Sequence, residues 1–414
     1  MDELAHRYLL LALRIGRLIE GYVDGYSGPA ELREAVDGEA PPLAEELHGE
    51  AMALRELVGE LTDGTRQLAQ RLAWLQGQLV AMSAICRHLT GEEIAFVDLV
   101  EALCDAPADP VPEDTFLAAH RMLDDVLPAG PLLRDRLEAH DREARVPADQ
   151  KLAALIAMAE VLRARTRQDL WLPAGERIEW REAHDQPYGA YAVSLGGLRT
   201  QITVNVDLPI GIGTVIYLAA HEAYPGHHTE RVTKEAVLAR DAGYGEAQVN
   251  CLFTPETALS EGLAELAREV TLSDAEMGIE MLRLARRLDL GLEASTIERE
   301  VRVGRAREVL RSGMVNAALK IFHEGEPERE VRDWLAEMAL MSEQRIDHEL
   351  RALRDPLWAT IPFAYRLGPT LIREWLEVQG QTHGFGRLLS EELSPRQLRA
   401  EIGEAPALYP ADFI

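Results

Sequence analysis

The sequence predicts a mainly α-helical protein carrying one small β-hairpin. Three observations lead there. Apolar residues recur at three- and four-residue spacing through nearly all of residues 1–172. The same spacing returns from 256 onward. Between the two, residues 173–209 alternate apolar and polar positions, the pattern of half-buried strands.

In order along the chain, Leu4, Tyr8, Leu11, Ile15, Leu18 and Ile19 form the stripe of a first helix that ends by 22–25. Pro29 restarts a helix. Residues 43–61 and 65–89 make two long amphipathic segments divided by the turn Asp63-Gly64. Helices then fit 92–104, 113–126, 131–141 and 148–171, with Pro-rich breaks at 107–112 and 128–131. In ERIEWREA, Ile178 and Trp180 alternate with charges. GAYAVSLGG and TQITVNVDLP read as two strands joined at Gly196-Gly197. The apolar run from Val215 to Ala220 opens a buried helix. Residues 237–256, with Gly243, Gly245 and Pro255, read as a loop-rich crossing. Helices resume at 256–271, 273–289 and 291–322, after Pro327 and from PFAYRLG, and a small helical cap follows from 381. Residues 1–172 are expected to form one wall of a cleft and 173–414 the other half, with the hairpin at its edge, the two making one compact unit.

The composition is 47% hydrophobic and 27% charged, which is ordinary for a chain with a substantial core. A net charge of −27 opposes nucleic acid and anionic membranes as partners, since both attract a positive surface. MDELAHRYLLLALRIGRLIEG carries acids before its apolar stretch and charges within it, so it reads neither as a signal peptide nor as a membrane span. Cys86, Cys104 and Cys251 are odd in number and form no CxxC. They read as reduced structural thiols, and the expected location is cytoplasmic. His88, His120 and His140 read as helix-surface or packing histidines.

YLAAHEAYPGHHTE, residues 217–230, is where chemistry concentrates. It holds three of the twelve histidines. A His-Glu pair at the end of an apolar helix is how zinc hydrolases open their site, the His binding metal and the Glu acting on a metal-bound water. The spacing is unusual. His227 is six residues after His221, about 240° off its face in an unbroken helix, and His228 is roughly 10 Å along the axis. One ion can bind both ends only if the helix breaks, and Pro225-Gly226 permits that break. His221 with His227 or His228 would supply two ligands. A third comes from ALSEGLAELAREV, where Glu261 and Glu265 stand one turn apart on an apolar helix. A metal compensates one buried carboxylate, and a histidine N–H the other.

At these residues the chain resembles the bacterial family called domain of unknown function 885, whose signature runs HExxPGHH…EGWAxYxE. DGYSGP at 24–29, LGGLRTQITVNVDLP at 195–209 and PFAYRLG at 362–368 also resemble family positions. The family is grouped with gluzincin metallopeptidases, which carry two His and one Glu on zinc in a mostly helical fold. The resemblance therefore implies a metallopeptidase-like domain with an edge sheet beside its cleft. It implies one Zn2+ per chain on His221, His227 and Glu261, with Glu222 as general base. Glu265 matches the later Glu, and Leu263 stands where the family has Trp. His323, in IFHEGEP, falls near a family His and would either donate a proton or face the oxyanion, or else read as a helix-capping residue. Tyr365 matches a Tyr suited to oxyanion stabilisation. The hairpin would receive extended substrate with Asn205 in the cleft. Arg366 either binds a peptide carboxylate or pairs with a structural Glu.

The expected activity is hydrolysis of a peptide or small amide by Glu-assisted attack of a zinc-activated water. The competing expectations are a metal-stabilised protein that binds peptides or a partner without cleaving them, and a helical scaffold without metal. The sequence leaves the oligomeric state open.

Overall fold

The computed structural model describes residues 2–61, 64–186 and 188–404. It is mainly α-helical, with two small sheets. The N-terminal helices are Glu3–Gly16, Ala30–Asp37, Ala44–Glu60, Arg66–Leu89, Phe96–Cys104, Glu113–Val126, Leu133–Glu143 and Lys151–Asp169. They follow the apolar spacing. Two of them begin at side-chain caps: Asp2 accepts from the Ala5 amide and Thr65 from the Leu68 amide. Asp63 of the expected turn lies outside the described residues, as does the end of the C-terminal cap from 405.

Among the described residues five strands occur: β1 (Val23–Tyr26), β2 (Arg177–Ala183), β3 (Ala190–Ser194), β4 (Arg199–Asn205) and β5 (Val249–Cys251). β3 and β4 form the expected antiparallel hairpin, turned by Gly196 and Gly197 at φ 67° and 66°, where a side chain would be strained. β2 pairs parallel with β4, so β4 is central in the order β2-β4-β3. The other sheet is unanticipated. β1 pairs antiparallel with β5, where the sequence suggested a helix end and a loop-rich crossing. Strands of three and four residues, one of them containing Asp24-Gly25, are too short to display a period.

The boundary at 172 separates no core. One apolar cluster joins the first helices to Val249, Cys251 and Phe253. A second packs Phe96, Phe116 and Leu137 against Val303, Leu335 and Phe363. The third surrounds the chemistry-bearing stretch, with Met158, Leu162, Ile202, Val215, Leu263 and Trp375. The two halves thus share their interiors.

Downstream lie Pro255–Thr271, Asp274–Arg287, Ala294–Arg311, Gly313–Phe322, Glu328–Met338, Glu343–Ala352, Ile361–Gln379, Gln381–Ser390 and Pro395–Glu401. The helix expected over 291–322 is broken at Ser312. Helices Pro255–Thr271 and Ile361–Gln379 cross glycine to glycine. A Cβ on Gly368 would lie 1.9 Å from the Ala258 carbonyl oxygen, and one on Gly262 would lie 2.5 Å from the Gly368 carbonyl carbon. This close approach brings Tyr365 to the face that carries Glu261. Among the described residues, no helix is long and apolar enough to cross a membrane.

Candidate metal centre

Helix Ile212–Leu218 carries Val215 and Ile216 fully buried and runs into a π-turn over Ala219–Ala223. There the Tyr224 amide reaches back five residues to the Ala219 carbonyl, and the Gly226 amide six residues to that of Ala220. The extra residue rotates the helix phase, a device common at functional sites. Tyr224-Pro225 is cis. Gly226 passes so close to the preceding turn that a Cβ would lie 1.9 Å from the His221 carbonyl oxygen, so no other residue fits. A new helix, His227–Lys234, begins at once.

The break that the histidine spacing demanded is therefore present, and its result is convergence. His221 Nε2 and His227 Nε2 face each other at 3.2 Å, their rings nearly perpendicular. Glu261 Oε2 lies 3.4 Å from the first and 3.6 Å from the second. Tetrahedral zinc with bonds of about 2.0–2.1 Å sets its ligand atoms roughly 3.3–3.4 Å apart, so the triangle has the right size. Glu261 Oε2 is buried without a hydrogen-bond partner, an expensive state unless a cation meets it. The three residues are the one His/Cys/Asp/Glu group among those described that could hold a metal. The chemistry of the donor set, two imidazoles and one carboxylate, fits zinc.

The surroundings favour positive charge. Against the effect of burial, the Glu261 and Glu230 carboxylates raise His227 to about 10. Burial acts upward on Glu261 too, but the two histidines hold it well below the usual carboxylate range. Glu222, 6% exposed, is pushed up by burial, which suits a base.

Each histidine faces a polar group on its far side, His227 within hydrogen-bond distance and His221 beyond it. His227 Nδ1 meets Ser260 Oγ at 3.2 Å, and that hydroxyl donates to Glu230 Oε2 at 2.5 Å. Lys234 pairs with Glu230 at 2.7 Å. His221 Nδ1 faces Glu265 Oε1 at 3.9 Å. Glu265 accepts from Tyr217 Oη and, at 3.0 Å, from Arg311. The sequence reading missed Ser260, Glu230, Tyr217 and Arg311. Glu230 had a faint signal, standing one turn after His227, and so did Tyr217, one turn before His221.

The other predicted residues divide. His228 points away from the triad. Fully buried, it meets Thr200 Oγ1 at 2.8 Å and Glu176 Oε2 at 3.1 Å, tying the helix to the sheet. Tyr365 stacks parallel to His221, ring centres 6.3 Å apart. It is 41% exposed as a residue, yet its hydroxyl is desolvated beside Glu261, and both effects raise its pKa well above 10.

Two expectations are corrected, and a third loses one of its two alternatives. Asn205 does not face a cleft: it is 2% exposed, donates to the Gln186 carbonyl at 2.8 Å and accepts from the Asp207 amide at 3.1 Å. A polar residue ending a strand is here consumed in closing the next turn. His323 is exposed at the C-terminal end of Gly313–Phe322, its amide bonded to Leu319, and among the described residues no hydrogen bond or ion pair joins it to the triad. It caps a helix. Arg366 pairs with no carboxylate among the described residues, and its guanidinium donates to Thr370 Oγ1, one turn along its own helix.

Comparison with protein-family models and with curated proteins finds no match. Solved structures do match. One is a "putative lipoprotein" from Colwellia psychrerythraea, at TM-score 0.51 and 14% identity over 89% of this chain and 68% of that one. Another is a "putative lipoprotein of unknown function" from Shewanella oneidensis, at TM-score 0.50 and 14% identity over 89% of this chain and 75% of that one. At such identity the likeness concerns the fold alone.

Proposed function

We propose that this protein is a zinc-dependent hydrolase of peptide or other small amide bonds, with one ion per chain on His221, His227 and Glu261. The observation that carries the reading is the triangle of His221 Nε2, His227 Nε2 and Glu261 Oε2, with sides of 3.2, 3.4 and 3.6 Å. Family resemblance at HEAYPGHH and SEGLAELARE points the same way.

When bound, zinc supplies Lewis acidity toward a carbonyl and an acidified water. The chain supplies the rest. Glu222, desolvated and raised in pKa, takes a proton at its carboxylate and returns it to the leaving amine. Tyr365, held neutral, donates its hydroxyl proton toward the oxygen on which charge develops. Glu265 and the Ser260–Glu230 pair orient the two imidazoles from behind. Burial around His221, Glu222 and His227 lowers the local dielectric and makes each of these charges count for more.

The test is turnover. Zinc-loaded protein is offered a mixture of short peptides, with Glu222→Gln in parallel. Cleavage by the wild type that is lost in Glu222→Gln, at unchanged zinc content, is the expected result. Zinc-loaded wild type that cleaves nothing, or Glu222→Gln that cleaves equally fast, overturns the hydrolase reading.

A further inference from the structure

A small polar pocket adjoins the triad, lined among others by Asp24, Arg231, Asn250, Thr257, Ser260 and Glu261. The space in it open to a water-sized group is about 20 Å³, room for a water molecule or one oxygen of a ligand. Arg231 stands one turn after His227 on the same helix, its side chain 9% exposed. Its Nη2 donates to Asp24 Oδ2 at 2.8 Å. Its Nε and Nη1 are buried and donate to nothing.

That is an expensive arrangement for a guanidinium, because unmet buried donors cost more than a typical hydrogen bond contributes. The fork is nevertheless held firmly. Asp24 is fixed on its other oxygen by the Tyr191 hydroxyl. Gly25, beside it, keeps the space open, since a Cβ there would lie 3.6 Å from Nη1 and 3.0 Å from Asn250 Oδ1. The remaining charged groups lining the pocket are engaged. Glu256 pairs with Lys234 at 3.3 Å, and Glu261 faces the histidines. The donors left over therefore call for an acceptor from outside the chain.

We infer that Arg231 anchors a carboxylate of the substrate beside the metal triad, so that the preferred substrates are short peptides with a free C-terminus near the scissile bond. A carboxylate offers two oxygens and about four acceptor sites to a fork with this excess of donors. The inference rests on the hydrolase reading, and it transfers to Arg231 the role that the sequence offered to Arg366. Arg231 is a binding residue, and Asp24 and Tyr191 position it.

The test separates the two ideas. Binding of N-acetyl-trialanine and of its C-terminal amide is measured by calorimetry on zinc-loaded Glu222→Gln protein, with and without Arg231→Lys. Lysine keeps the charge opposite Asp24 but loses the additional donors. The free acid should bind roughly tenfold or more tighter than the amide, and Arg231→Lys should bring the two toward equality while leaving the thermal midpoint close to that of its parent. Equal binding of acid and amide, no binding of either, or a preference unchanged in Arg231→Lys overturns the inference. Should wild type cleave no peptide while the acid preference persists and depends on Arg231, the hydrolase reading fails and the carboxylate site stands.

Discussion

Glu265 stands behind His221, its Oε1 3.9 Å from His221 Nδ1, and it is fixed there by Tyr217 and Arg311. The carboxylate that the sequence offered as an alternative ligand thus serves as support for one. Tyr217, Glu265 and Arg311 come from three helices, so the ring of His221 is set by tertiary packing.

Glu265→Gln should leave the fold intact and weaken zinc binding by roughly 10–100-fold, the usual effect of losing a partner behind a ligand. Competition against a chromogenic chelator measures it, with circular dichroism as the fold control. An unchanged affinity would remove Glu265 from the site.

The crossing of Gly262 and Gly368 makes a second prediction. Gly368→Ala drives a methyl group into the Ala258 carbonyl, 1.9 Å away. Overpacking of this kind costs about 1–3 kcal/mol or more, and it should separate Tyr365 from Glu261. Urea unfolding should give a lower midpoint for Gly368→Ala than for an alanine at Gly304, which has open space around it.

Glu176 gives the pH dependence. Burial would raise its pKa, but hydrogen bonds from His228, Tyr224 and Arg163 hold it at about 2, below its ordinary 4.5. A depressed carboxylate contributes stability above the unfolded pKa and loses it as pH falls through the folded one. The loss should therefore run from about 4.5 down to about 2. Glu176→Gln should be less stable than wild type at neutral pH, and the difference should shrink across that window. Urea melts at a series of pH values check this.

Much of this architecture was legible because burial forces a period onto sequence. The long helices repeat their apolar stripes, and the β3–β4 hairpin alternates cleanly around Gly196-Gly197. The site was legible for the opposite reason: His221, Glu222 and Glu261 are polar residues set in apolar runs, which stability alone does not favour. The six-residue gap to His227 even required the break found at Ala219–Gly226. What escaped depends on relations between elements. Ser260 and Arg311 reach the site only once helix rotations are fixed, and no local pattern encodes those. β1 and β5 pair across more than 200 positions in strands too short to alternate. Asn205 looked available because strand ends usually meet water, whereas here the next turn consumes it.

On the proposed reading, His221, His227 and Glu261 hold one zinc ion. Elemental analysis of the purified protein tests it most directly, alongside His221→Ala and Glu261→Ala. About one zinc per chain in the wild type, lost in both variants, is the predicted result. A wild type without stoichiometric metal, even when zinc is supplied at neutral pH, would contradict it.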